Sequence, residues 1–185
     1  DPSVVQALTS MGQVLGDTSN IAGGVSGALQ TDFPTSVNDV FSKPPKAAMV
    51  MEGDFVPGVA TVKATAGTDY NVFDFPSVNG SQPAIVGGGD TVVMFKDTPA
   101  AEALVSFLAS PEAASTWAKL GGFSSPNKGV DPSVYPDDIT RKTATAIANA
   151  KTFRFDLSDL QPASFGATVG QGEFKLFQDL LRNPK

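Results

Sequence analysis

Short strand candidates alternate with stretches of helical apolar spacing, and that alternation constrains the fold more than any other feature of the chain. Ala47-Ala48-Met49-Val50-Met51 is an unbroken apolar run, the pattern of a strand buried on both faces. Tyr70 to Phe75, closed by Pro76 and a Ser77-Val78-Asn79-Gly80 turn, is a second candidate. Ala84-Ile85-Val86 and Thr91 to Phe95 follow, separated by Gly87-Gly88-Gly89-Asp90. Phe153, Phe155 and Leu157 alternate with polar residues and read as a half-buried strand or edge segment.

Between these runs the period changes to that of a helix. Val4, Leu8, Met11 and Leu15 predict a helix from about Pro2 to Leu15, ended near Gly16. Gly23 to Gly27 reads as a flexible turn region. Pro34 suits the first turn of a short helix carrying Val37, Val40 and Phe41, stopped by Pro44-Pro45. Glu52-Gly53-Asp54-Phe55 opens another helical segment. Thr98-Pro99 and Ser110-Pro111-Glu112 are cap-and-first-turn signatures that predict a helix hairpin ending at Gly121. Pro126, Pro132 and Pro136 punctuate an extended connection to a helix from Asp137-Asp138 to about Ala150, with Ile139, Thr143 and Ile147 inward. The last helix runs from about Glu173 to Leu181. The class is α/β or α+β, with several buried strands and no repeat.

Composition narrows the chemistry. With 185 residues and 41% apolar content there is enough chain for a buried core, in one domain or parts of two. No apolar run is long enough to span a bilayer. The net charge of -6, with scattered basic residues whose densest pair is Arg141-Lys142, argues against nucleic acid as a partner. Cysteine and histidine are absent, which excludes within this chain a Cys nucleophile, a Ser-His-Asp triad and a zinc site of the usual kind. The expectation is that no metal or cofactor is used. The chain opens on Asp1 without a signal pattern, so a leader is expected to have been removed or the chain cut.

The order of the pieces carries a resemblance. "DFPTSVNDVFSKPPKAAMVMEGDFVPG", then "YNVFDFPSVNGSQPAIVGGGDTVVMFKDTPAAEALVSFLASPEAASTWAKLGG", then "DLSDLQPASFGATVGQGEFKLFQDLLRNP" resemble, in order and spacing, the second half of family 1 bacterial extracellular solute-binding proteins. These are maltose-binding-protein-like sugar receptors of ABC importers. The resemblance implies a type II periplasmic-binding-protein-like fold, two α/β lobes holding a ligand in the cleft between them. By it, residues 1–86 and 131–185 belong to the second lobe, and 87–130 are a hinge crossing and helix pair belonging to a first lobe that this chain lacks. Leu104, Val105, Leu108, Trp117 and Leu120 on that pair are then expected to fold back on their own lobe or pack on another copy.

Sugar capture needs carboxylates and amides for hydroxyls, and an aromatic ring for the apolar face of a pyranose. Glu52-Gly53-Asp54-Phe55 offers both, and the resemblance places a ligand-contacting aromatic just after this strand. The competing reading makes Asp54 a helix cap and Phe55 core. Gly88, Gly89 and Asp90 resemble the family's glycine-rich crossing at the cleft floor, where glycine lets backbone approach a ligand or a hinge move. Their spacing is neither G-x-G-x-x-G nor a P-loop. Asp90 either points into the cleft or caps a turn. Phe165 occupies the place where relatives present stacking aromatics, and Trp117, on an apolar helix face, reads as core.

The function implied is a non-enzymatic carbohydrate receptor that docks on ABC permease transmembrane subunits. Its location would be extracytoplasmic, in the periplasm or at the cell surface, with lipid anchoring one route. The rival from another class is a two-carboxylate glycoside hydrolase or transferase, for which no paired acidic spacing is present. A purely structural or interaction role is the third reading.

Overall fold

The computed structural model describes residues 1–78, 80, 81, 84–166 and 168–184. In chain order its helices are α1 (Pro2–Leu15), α2 (Gly24–Gln30), α3 (Phe33–Phe41), α4 (Val56–Val59), α5 (Pro99–Leu108), α6 (Pro111–Ala118), α7 (Asp138–Ala148), α8 (Ala163–Gly166) and α9 (Gly172–Arg182). Two strands, β1 (Ile85–Gly87) and β2 (Phe153–Phe155), pair in the sheet found among the described residues. The result is an α/β chain dominated by helices. It divides into two compact units, one of residues 1–50 and 155–185, the other of residues 51–154.

The first unit is built on α1, α2, α3, α8 and α9. The carboxylate of Asp1 accepts a hydrogen bond from the Ser3 amide and caps α1, which Gly16 follows as read from the sequence. Gly12 is buried because the tail crosses it: an added Cβ would lie 2.6 Å from the Pro184 carbonyl oxygen. Asp32 caps α3 through the Thr35 amide, Pro34 sits in its first turn, and Val37 and Phe41 are buried on its inner face. Helix α9 packs across α1 and α2 and is joined to α8 by a tight turn. There Gly172 has φ +48°, and an added Cβ would lie 2.3 Å from the Phe165 carbonyl oxygen. Gly23 to Gly27 is not a loop. Gly23 takes the left-handed conformation (φ 73°) as the cap of α2, a geometry open to glycine without cost, and the helix then runs through Ala28 and Leu29.

The second unit centres on Ala114 and Ala118 of α6, which face Val130, Tyr135 and Ala144, with Phe123 and Val134 packed alongside. Thr98 and Ser110 cap α5 and α6 as their Thr-Pro and Ser-Pro signatures predict. Asp137 and Thr140 close a reciprocal capping box on α7, and Ile139, Thr140 and Ala144 turn inward. Pro132–Val134 is a turn of 3₁₀ helix rather than extended chain. The Ile85 amide donates to the Thr152 carbonyl, joining β1 to the segment entering β2. Gly87 lies close to the Phe153 ring, 3.0 Å from where an added Cβ would stand, so a side chain there would have to displace that exposed ring slightly.

Three expected strands do not form. Ala47–Met51, Tyr70–Phe75 and Thr91–Phe95 carry no ladder, and Met49, Met51, Phe73, Phe75, Val92 and Val93 are exposed, with Phe95 98% so. A strand buried on both faces needs neighbours at its edges and a layer on each side. Among the described residues these runs are left largely exposed, and Tyr70 pairs in an isolated parallel bridge with Ala66 instead of a ladder. The turn expected at Ser77 to Gly80 includes Asn79, which lies outside the described residues; beside it the Ser77 hydroxyl donates to the Ser81 carbonyl. No helix among the described residues is long and apolar enough to cross a membrane.

Candidate functional site

The loop after the 47–51 run turns at Gly53. An added Cβ there would lie 2.5 Å from Cε1 of Phe55, so the Phe55 ring folds over the glycine backbone and stays 42% exposed. Phe55 is the N-cap of α4 without a side-chain cap bond, so Asp54 is not the helix cap. Its half-buried carboxylate instead accepts a hydrogen bond from the hydroxyl of Ser124, 70 residues away in sequence. Glu52 is exposed on the same loop.

The partner loop, 121–130, is held by bonds within it and to the segments on either side. Gly121 and Gly122 take φ of 77° and 67°, a double left-handed turn that reverses the chain after α6. A Cβ on Gly122 would lie 3.9 Å from the Gly58 Cα, which places this loop against the 54–58 segment. The buried Ser125 amide donates to the Tyr135 hydroxyl at 3.0 Å. Asn127 Nδ2 donates to the Ala109 carbonyl, and Asn127 Oδ1 accepts from the Gly129 amide. Phe123 stacks on Trp117, centroids 4.2 Å apart and planes 6° from parallel. Trp117 is not buried: it is exposed on α6, whose buried face is Ala114 and Ala118, and Leu104, Leu108 and Leu120 of the same helix pair are exposed with it, so the expected fold-back of that face onto its own lobe does not form.

The other expected residues lie elsewhere. β1 ends at Gly87, and Gly88, Gly89 and Asp90 continue as exposed chain without regular structure. Gly89 has nothing within 4 Å of an added Cβ, so neither crowding nor a left-handed φ requires glycine at that point. Phe165 is exposed on α8, in the other unit. Thus Asp54 is tied to Ser124, and Phe123, the residue before Ser124, stacks on Trp117. Ser124 and Phe123 went unread in the sequence, although the Gly121-Gly122-Phe123-Ser124 run marks a forced turn presenting an aromatic and a hydroxyl.

Two grooves open in the first unit. One, of 470 Å³, is lined by Leu8, Leu176 and Leu180 with Asp179, Arg182 and Asn183; the other, of 290 Å³, lies between Met11, Leu15 and Leu29 and the α9 side chains Phe174, Phe177 and Leu181. Neither contains an expected ligand residue. Hydrogen bonding to Lys175, aided by its charge and by Arg182, holds Asp179 below the usual carboxylate range. Burial, then the charge of Asp156, pushes Glu173 up. Tyr70 is raised by burial and by Asp137. Among the described residues no group of three or more acidic side chains could hold a metal ion.

No solved structure matches the chain. The sequence matches the family of bacterial extracellular solute-binding proteins over residues 2–149. It is 36% identical to the osmoprotective compounds-binding protein GgtB of Synechocystis sp. over 94% of the chain and 40% of that protein. It is 33% identical to the alpha-glucosides-binding periplasmic protein AglE of Rhizobium meliloti over 90% of the chain and 37% of that protein. The chain thus spans about 40% of the length of these relatives. An unbroken match to the family across four-fifths of its residues, with Asp54, Phe55 and the loop that holds them inside the matched span, makes this chain a member of the bacterial extracellular solute-binding proteins.

Proposed function

We propose that the protein carrying this chain is the substrate-binding component of an ABC importer and takes a carbohydrate without chemical change. The observation that carries the reading is the family match over residues 2–149. Two relatives are named for binding alpha-glucosides and osmoprotective compounds. The ligand sits in a cleft between two lobes. Residues 1–86 and 131–185 belong to the second lobe, and 87–130 cross the hinge. Glu52 and Asp54 accept sugar hydroxyls, while Phe55 and Phe165 cover ring faces. Gly88, Gly89 and Asp90 form the cleft floor. Closure on the ligand draws on these contacts and presents the closed form to permease transmembrane subunits on the extracytoplasmic side.

Calorimetry of the protein carrying this chain, titrated with maltose, methyl α-glucoside, other sugars and non-sugar osmoprotectants, tests the reading. Stoichiometric binding of a saccharide with no release of hydrolysed product is expected. Turnover of a chromogenic glycoside, or heat with non-sugar solutes alone, would overturn it.

A further inference from the structure

We propose that Glu173 is a proton-dependent catch on the corner between α8 and α9. Neutral, its carboxyl stays inside and the corner closes; ionised, it swings out to water and frees the corner that carries Phe165. The inference is independent of the receptor reading. Glu173 is only 8% exposed, and its Oε2 has no hydrogen-bond partner among the described residues. A carboxyl so placed is tolerated as an acid and costly as an anion, because the charge would have neither water nor a donor. The corner around it is closely built. Asp156 Oδ1 accepts hydrogen bonds from the Ser158 amide at 2.8 Å and the Ser158 hydroxyl at 2.5 Å. An added Cβ on Gly166 would lie 2.3 Å from the Ser158 carbonyl oxygen, and one on Gly172 would lie 2.3 Å from that of Phe165.

The surrounding charges let this corner respond to one proton. The helices packed on α9, namely α1, α2 and α8, carry no titratable side chain. On α9 itself, Lys175 and Arg182 both bind Asp179. Asp159 is exposed on the 3₁₀ turn before α8. That leaves Asp156, whose negative charge adds to burial in pushing the Glu173 carboxyl above its ordinary value of 4.5. An outward position exists as well. Glu173 lies in the first turn of α9, whose N-cap Gln171 makes no side-chain cap bond, so a carboxylate at the surface there meets the positive end of the helix. Opening involves little structure, since α8 is one turn of four residues and Phe165 is already exposed. The folded state holds the proton more tightly, so closure is fullest below pH 4.5 and weakens as the pH rises through the raised folded value.

Amide hydrogen exchange on the protein carrying this chain, read as opening equilibria at pH 4.5 and pH 8, tests the catch. Protection over residues 163–172 should fall by about tenfold at pH 8, the factor that goes with one pH unit, while protection in α3 of the same unit stays within about twofold. Glu173→Gln keeps the shape and cannot ionise, so its corner should be equally protected at both pH values. Asp156→Asn keeps an oxygen for Ser158 and removes the charge that faces Glu173, so its loss should be smaller than in the unsubstituted protein. An undiminished loss in Glu173→Gln, an equal loss in α3, or no loss in the unsubstituted protein would overturn the catch.

Discussion

Tyr135→Phe removes one oxygen and nothing else, which makes it a sharp test of how the site loop is held. Tyr135 is 5% exposed and packs in the core with Ala114, Ala118, Val130 and Ala144, so its ring stays where it is when the hydroxyl goes. The hydroxyl oxygen is the acceptor for the Ser125 amide at 3.0 Å, and Ser125 is itself buried. Deleting the acceptor strands an N–H in the interior, which costs about 1–3 kcal/mol, more than a hydrogen bond exchanged with water. For a chain of this size each kcal/mol moves the melting temperature by about 2–4 °C, so a drop of about 2–12 °C is expected. Denaturant unfolding with an unchanged m-value gives the energy directly. Amide hydrogen exchange supplies the local readout: protection at Ser125 should fall more than protection within α7. A loss below about 0.5 kcal/mol, or undiminished Ser125 protection, would refute the claim that this bond fixes the loop bearing Phe123 and Ser124.

Two further outcomes follow from other parts of the chain. Glu173 is 8% exposed, its Oε2 has no hydrogen-bond partner among the described residues, and its folded pKa is raised, first by burial. A raised carboxyl pKa means the folded state holds the proton more tightly. Stability is then fullest below the unfolded value near 4.5 and falls as pH rises through the higher folded value. Glu173→Gln should therefore raise the melting temperature at pH 7.5 by a few degrees and by less at pH 4; an equal gain at both would sink the argument. Gly172→Ala forces a side chain into left-handed backbone and into the Phe165 carbonyl, while Gly170→Ala meets the same backbone problem with nothing within 4 Å. Gly170→Ala should cost about 1–2 kcal/mol and Gly172→Ala clearly more by chemical denaturation, and equal losses would contradict the close approach.

How much of this was legible in the sequence depends on the range of the interaction. Helix starts were readable because a cap is completed within three residues: Asp1 to Ser3, Asp32 to Thr35, Thr98 to Ala101, Ser110 to Ala113 and Asp137 to Thr140. The strands at 47–51, 70–75 and 91–95 were misread because an apolar run reports what a segment tends to bury, not whether a neighbour is present to bury it. β1 formed where a partner, the 152–155 segment, was at hand. At the candidate site, Asp54 and Phe55 were proposed from their residue types after an apolar run, and the structure adds the Asp54–Ser124 bond. Ser124 was not, since a bond spanning 70 residues leaves no local pattern. Trp117 was misassigned for a related reason: its apolar face gives the helical period correctly, yet the alanines on α6 take the buried side because small residues let the helix approach Tyr135 and Val130.

The bond to Ser124 bears on what Asp54 would offer a ligand on the proposed reading. A carboxylate has about four acceptor sites on two oxygens. Ser124 uses Oδ2, and the side chain is only half-buried, so acceptor capacity remains for hydroxyls from solvent or ligand. On the proposed reading a sugar hydroxyl would add beside Ser124 instead of displacing it, with no bond broken for one to form. This arrangement favours a carboxylate over an amide at the position. Asparagine would keep one acceptor oxygen and point an NH₂ where a hydroxyl oxygen must then turn to accept. The bond to Ser124 also fixes the carboxylate in advance, which on the proposed reading would lower the entropy lost on binding. Site chemistry and loop packing are thus one problem in this fold: the alanine face of α6 seats the helix, the glycine pair turns the chain, Tyr135 anchors Ser125, and Ser124 aims Asp54.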